Sequence, residues 1–142
     1  MDRPPIDWDR LADAARAARD RAHAPYSRYP VGAAVLTRSG AVHASGNVEY
    51  AIPALSVCAE RLAVSAALAA GRGDLVALAV VTGSSPPARP CGLCRQTLAE
   101  VARDLPILCL NDAGEREETT LAALFPEPFR TDAGAPERYG GG

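Results

Sequence analysis

The sequence predicts an α/β protein, a three-layer α/β/α sandwich around a mixed central sheet, on three observations. The chain has 142 residues, 48% of them apolar, enough to bury one core and too few for two domains. Two short runs, 75–82 and 106–110, are apolar almost throughout, as buried strands are. The order of segments, helix, hairpin, helix, strand, helix, strand, places helices on both faces of one sheet.

Each element has its own justification. Residues 8–23 set Leu11, Ala12, Ala15, Ala18 and Ala22 at helical spacing with Arg and Asp between them, an amphipathic helix that Ala24 and Pro25 end. Residues 31–37 and 41–45, separated by the turn Arg38, Ser39, Gly40, read as a β-hairpin. A second helix is expected over 58–70, stopped by Gly71, Arg72 and Gly73. Strand 75–82 follows, bounded by Asp74 and by the loop beginning at Gly83. Pro90 introduces a third helix over 91–103, and 106–110 is the next strand. The turn 111–114 leads to an edge strand at 117–119 and a short helix, 120–124, capped by Thr120. A single domain is expected over 1–130. Residues 131–142, rich in Gly, Pro and charge, are expected to be a disordered tail.

Charge and leader content narrow the function. Fifteen basic residues, all arginine, against 17 acidic ones give a net charge of −2, which argues against a protein that grips a nucleic-acid backbone by displacing counterions. A small ligand is expected instead. Residues 1–8 lack an apolar core, so no secretory leader is expected, and no apolar stretch reaches the roughly 20 residues of a membrane span. The expected location is the cytoplasm. There Cys58, Cys91, Cys94 and Cys109 are expected to be free of disulfides, which leaves metal binding or catalysis as the reading for any cysteine cluster.

Two segments carry that chemistry, Val57-Cys58-Ala59-Glu60-Arg61 and Pro90-Cys91-Gly92-Leu93-Cys94-Arg95-Gln96. Cys91 and Cys94, three apart at a helix start, direct both sulfurs to one point. Alone, this spacing also fits a redox pair, but a thioredoxin-like pair would follow the first strand, and this one follows the third. Cys58 at another helix start supplies a third thiolate and leaves one coordination position open, as catalytic zinc requires. Glu60 is then placed to move protons. The pattern resembles the three-cysteine form of the zinc deaminase signature. Three thiolates on Zn2+ sum to −1, which opposes ionisation of water at the metal. Arg61 and Arg95 are expected to offset that charge by donating to the sulfurs.

Taken in order, Pro25-Tyr26-Ser27-Arg28-Tyr29-Pro30-Val31-Gly32, Gly46-Asn47-Val48-Glu49, the two cysteine segments, and Glu118-Thr119-Thr120-Leu121 resemble the successive motifs of the small homotetrameric zinc-dependent cytidine deaminases. The resemblance runs from about residue 11 to residue 129. It implies the deaminase fold, one zinc ion per chain on Cys58, Cys91 and Cys94, and proton transfer by Glu60 as water attacks C4 of the pyrimidine and ammonia leaves. It further implies that Asn47 and Glu49 bind the ribose hydroxyls, that Tyr29 is the aromatic beside the nucleoside, and that the backbone at Ala59 meets the base. Phe129 would reach a neighbouring subunit's site in a homotetramer. A role in pyrimidine salvage follows from the same resemblance.

One segment departs from the family pattern. Where its members read close to Asn-Ala-Ser-Tyr-Gly-Leu-Thr, this chain has Tyr50-Ala51-Ile52-Pro53-Ala54-Leu55-Ser56, so a sugar-modified cytosine nucleoside of the blasticidin type is the alternative substrate. Two further readings stay open. A fourth thiolate from Cys109 would close the site and make the protein a structural-zinc binding module, against the simpler reading of Cys109 as a small core residue. Editing of polynucleotides uses the same chemistry, but the chain offers neither lysine nor an aromatic groove for a strand. His23 and His43 belong to no spaced pair and are set aside as ligands.

Overall fold

The computed structural model describes residues 5–130, so the expected tail at 131–142 lies outside the described residues. Within that range the elements are α1 (Trp8–Asp20), β1 (Gly32–Thr37), β2 (Val42–Gly46), a 3-10 turn (Pro53–Leu55), α2 (Ala59–Ala69), β3 (Leu75–Thr82), α3 (Gly92–Val101), β4 (Pro106–Asn111), β5 (Arg116–Thr120) and α4 (Leu121–Leu124). The strands form one five-stranded sheet in the order β2-β1-β3-β4-β5. Only β3 and β4 run parallel, joined by the α3 crossover that a parallel pair requires. The other neighbouring pairs are antiparallel, so the sheet is mixed.

Alternation along the strands divides the core in two. Ala34, Leu36, Ala79, Val81, Leu108 and Leu110 face Leu11, Ala12 and Ala15 of α1. Ala33, Val35, Leu78, Val80, Ile107 and Cys109 face Ala63, Val64 and Ala67 of α2, Leu98 of α3 and Leu121 of α4. Both faces of the central strands are thus covered, which is why β3 is apolar along nearly its whole length and buried at every position. The three-layer sandwich is the observed architecture. Thr120 caps α4 as expected, its Oγ1 accepting from the Ala123 N–H at 3.1 Å.

The ends of the elements differ from expectation in instructive ways. α1 stops at Asp20 and not at residue 23, because the His23 main chain is committed elsewhere: its N–H donates to Asn47 O at 2.9 Å and its carbonyl accepts from Glu49 N at 2.8 Å. Helices α2 and α3 start one residue later than expected, since Cys58 and Cys91 occupy the extended cap positions. Two glycines fix how closely α1 lies on the hairpin. Gly32 and Gly46 are cross-strand partners; a Cβ on Gly32 would sit 2.0 Å from Ala15 O, and one on Gly46 would sit 2.6 Å from Ala22 Cα. The backbone of α1 and of Ala22 just beyond it occupies the space that side chains would need.

Candidate active site

The two helix starts that carry the cysteines converge at the carboxyl end of β3, where open α/β sheets place their ligand crevices. Cys58 and Cys91 are the N-caps of α2 and α3, both in extended backbone, and Cys94 lies in the first turn of α3. The Cys58 and Cys91 sulfurs are 3.7 Å apart, those of Cys91 and Cys94 3.4 Å, and all three lie within 4.8 Å of one another. A tetrahedral ion with metal–sulfur bonds of about 2.3 Å separates its ligands by about 3.8 Å. The donor set therefore fits zinc in chemistry and in spacing. Cys109 does not belong to this group; it is buried in the core beneath α2 and α3, and burial raises its thiol to about 11.

Electrostatics at the cluster are divided unequally. Hydrogen bonding from Cys94 and Cys91, aided by the charge and a hydrogen bond of Arg61, lowers the Cys58 thiol to about 6 against its burial, whereas Cys94 is pushed strongly upward, first by its bond to Cys58 and then by burial. Three sulfurs this close cannot share negative charge unaided, and a divalent cation relieves that repulsion. Two helix N-termini add positive partial charge at the same point.

Glu60 follows Cys58 by two residues and is 5% exposed. Burial, with the nearby Cys58 charge, raises its carboxyl above the ordinary carboxylate value. A buried carboxyl of raised affinity for protons, on the wall of a pocket, has the character of a general acid and base. The pocket, about 350 Å3, is lined by Cys58, Ala59, Glu60 and Cys91 on one side and by Ser27, Tyr29, Asn47 and Glu49 on another. Its size suits one small polar ring compound.

The other residues singled out in the sequence fall as follows. Glu49 Oε1 accepts from the N–H groups of Tyr26 and Ser27, each at 3.0 Å. The Ser27 bonds, side chain first, hold its carboxyl below the usual range. Asn47 Oδ1 accepts from Val31 N at 2.9 Å and its Nδ2 donates to Tyr29 O at 3.1 Å. Both side chains thus shape the wall that they also line. Arg61, by its charge and a hydrogen bond, adds to the lowering of the Cys58 thiol. Arg95 differs from the sulfur donor expected: its Nε donates to Pro90 O at 2.7 Å and its Nη1 to Leu124 O at 2.9 Å. It braces the Cys91 loop against α4, because the loop carbonyls lie where its guanidinium reaches. Phe129 is 72% exposed and does not line this pocket; its carbonyl accepts from Gln96 Nε2 at 2.9 Å.

Sequence reasoning missed Ser56, Thr82, Ala88 and Arg89 in the pocket wall. Thr82 ends a buried apolar strand, and a polar residue there is a usable signal; the others had none. Of the divergent segment 50–56, only Ser56 lines the pocket. Its Oγ accepts from Tyr50 N at 3.0 Å, closing a loop whose tip exposes Ile52 and Leu55.

Comparison with known proteins agrees with this geometry. The family model described as "Cytidine and deoxycytidylate deaminase zinc-binding region" matches residues 7–109. A cytidine deaminase of Halalkalibacterium halodurans is 41% identical, covering 89% of this chain and 97% of the relative. One from Sporosarcina psychrophila is 39% identical over 87% of this chain and 92% of its own. The crystal structure of cytidine deaminase from Burkholderia pseudomallei superposes with a TM-score of 0.81 at 40% identity, covering 87% of this chain and all of that one. A blasticidin-S deaminase of Bacillus cereus is more distant, 29% identical over 70% of this chain and 76% of its own.

Proposed function

The chain belongs to the zinc-binding cytidine and deoxycytidylate deaminase family and is a zinc-dependent deaminase, and from that membership and its site we propose that it converts cytidine and deoxycytidine, with water, to uridine and deoxyuridine plus ammonia. The observation that carries this reading is the grouping of three cysteine sulfurs within 4.8 Å at two helix starts, with the buried Glu60 carboxyl on the same pocket wall.

Cys58, Cys91 and Cys94 would hold the zinc. When bound, zinc supplies the Lewis acidity that makes water nucleophilic at neutral pH. Glu60 takes the proton released as the water oxygen attacks C4. It passes that proton to N3 of the base, and a second transfer to the exocyclic nitrogen lets ammonia depart and leaves a carbonyl at C4. Its raised proton affinity suits both halves of that traffic. Arg61 stabilises the Cys58 thiolate. Glu49 and Asn47 would bind the ribose hydroxyls, the Tyr29 ring would lie beside the nucleoside, and the Ala59 backbone would meet the base.

A panel of cytidine, deoxycytidine, cytosine and a sugar-modified cytosine nucleoside, with ammonia release measured on zinc-loaded protein, tests the substrate. The expected result is preference for the two unmodified nucleosides. Equal or better turnover of the modified compound would replace them with a blasticidin-type substrate.

The same reading makes the enzyme a cytoplasmic homotetramer of pyrimidine salvage, with Phe129 completing a neighbouring site and no role for nucleic acid. Ile52, Leu55, Leu93 and Phe129, each more than half exposed, support assembly, since apolar side chains of this size are normally covered. Among the described residues no helix is long and apolar enough to cross a membrane. Light scattering on the purified protein is expected to give the mass of four chains.

A further inference from the structure

Tyr29 shares the pocket wall with Glu60 and Cys91, and each of its three polar groups has a partner. Its N–H donates to Ser27 Oγ at 3.0 Å, its carbonyl accepts from Asn47 Nδ2 at 3.1 Å, and its phenol is hydrogen-bonded to Ser84 Oγ. The residue before it, Arg28, has a φ of 57°, a left-handed conformation that a side chain tolerates only where its surroundings impose it. The turn is therefore held by more bonds than a surface loop needs.

Ser84 is fixed independently from the other side. Its N–H donates to Thr82 Oγ1 at 3.3 Å and its carbonyl accepts from Asn111 Nδ2 at 3.0 Å. Asn111, 3% exposed at the end of β4, has its full hydrogen-bonding capacity engaged. Nδ2 also donates to Glu115 Oε1 at 3.0 Å, while Oδ1 accepts from the N–H groups of Ala113 and Glu115. A saturated buried amide thus anchors Ser84, and Ser84 alone of this group is bonded to the Tyr29 phenol.

We propose that Ser84 is a positioning residue for the deaminase site: through the Tyr29 phenol it holds the ring in one orientation, with Asn111 as the anchor. The inference rests on the reading of this pocket as the nucleoside site. A ring already ordered loses little freedom when substrate arrives, so the latch favours binding and leaves the chemistry at Glu60 untouched.

Ser84→Ala removes only the hydroxyl and keeps both main-chain bonds; Tyr29→Phe removes the other half of the same bond. Each is expected to raise KM for cytidine roughly three- to tenfold with kcat within about twofold, the size of one lost hydrogen bond. The double variant is expected to be no worse than either single one, because both delete the same interaction. Amide hydrogen exchange over residues 26–31 is expected to quicken in both single variants. An unchanged KM, effects that multiply in the double variant, or a fall in kcat at constant KM overturns the proposal. Should the wild type release no ammonia from cytidine, the functional reading fails on its own, and exchange still decides the latch: faster exchange in both variants supports it and unchanged exchange refutes it.

Discussion

Cys58 and Cys109 have the same thiol and opposite surroundings, and the difference decides their roles. Cys58, hydrogen-bonded by Cys94 and Cys91 and near Arg61, is lowered to about 6; Cys109 lies in an apolar layer and is raised by burial to about 11. Cys109→Ser is therefore expected to leave one zinc per chain while costing about 1–3 kcal/mol of stability for a hydroxyl buried without a partner, read by metal analysis and denaturant unfolding. Loss of metal would restore the structural-zinc reading. Glu49 gives a pH prediction. Its folded carboxyl titrates below the ordinary 4.5, so its bonds to the turn at Tyr26 and Ser27 contribute fully above 4.5 and are lost as pH falls through the lowered value. The melting-temperature gap between wild type and Glu49→Gln is expected to be constant above pH 4.5 and to shrink below it. The three clustered cysteines are legible in the sequence because their spacing follows from coordination chemistry, and Glu60 because it stands two residues from one of them. The carbonyl contacts of Arg95 are not, since Leu124 approaches it only through the fold.

At the scale of elements, the sheet and its helices are legible because apolar runs and helical spacing record burial directly. The helix ends are less so. What stops α1 early is a pair of main-chain bonds from His23 to residues 47 and 49, and no local pattern announces a partner that distant. The glycine pair at the hairpin end is likewise silent in sequence, since its cause is the approach of α1 and the residues that follow it. Gly46→Ala puts a methyl 2.6 Å from Ala22 Cα and 2.7 Å from Ala18 O. It is expected to cost on the order of 1–3 kcal/mol or more, measured by chemical denaturation, and to loosen the wall that carries Asn47 and Glu49. Gly92→Ala, where a Cβ meets nothing, is the control and is expected to be nearly neutral.

Over the whole molecule, the three-cysteine cluster joins two helices that pack on the same face of the sheet, so a zinc ion held there would act on stability as well as chemistry. Removing it with a chelator is expected to lower the melting temperature, and adding zinc back to restore it, because an ion that binds only the folded chain stabilises by mass action. The exposed tip at Ile52 and Leu55 belongs to this scale too. In one chain it lines no part of its own pocket, so in the proposed assembly the divergence of residues 50–55 would bear on what a neighbouring chain meets. Ile52→Asp with Leu55→Asp is expected to reduce the assembly to smaller species in light scattering. Central to the account is proton transfer by Glu60 beside a three-cysteine zinc site. Ammonia release from cytidine by wild type and by Glu60→Gln, each with its zinc content measured, tests that most directly. The predicted result is one zinc per chain in both and a kcat lowered by roughly 100-fold or more in the variant; full zinc with activity retained in Glu60→Gln would contradict it.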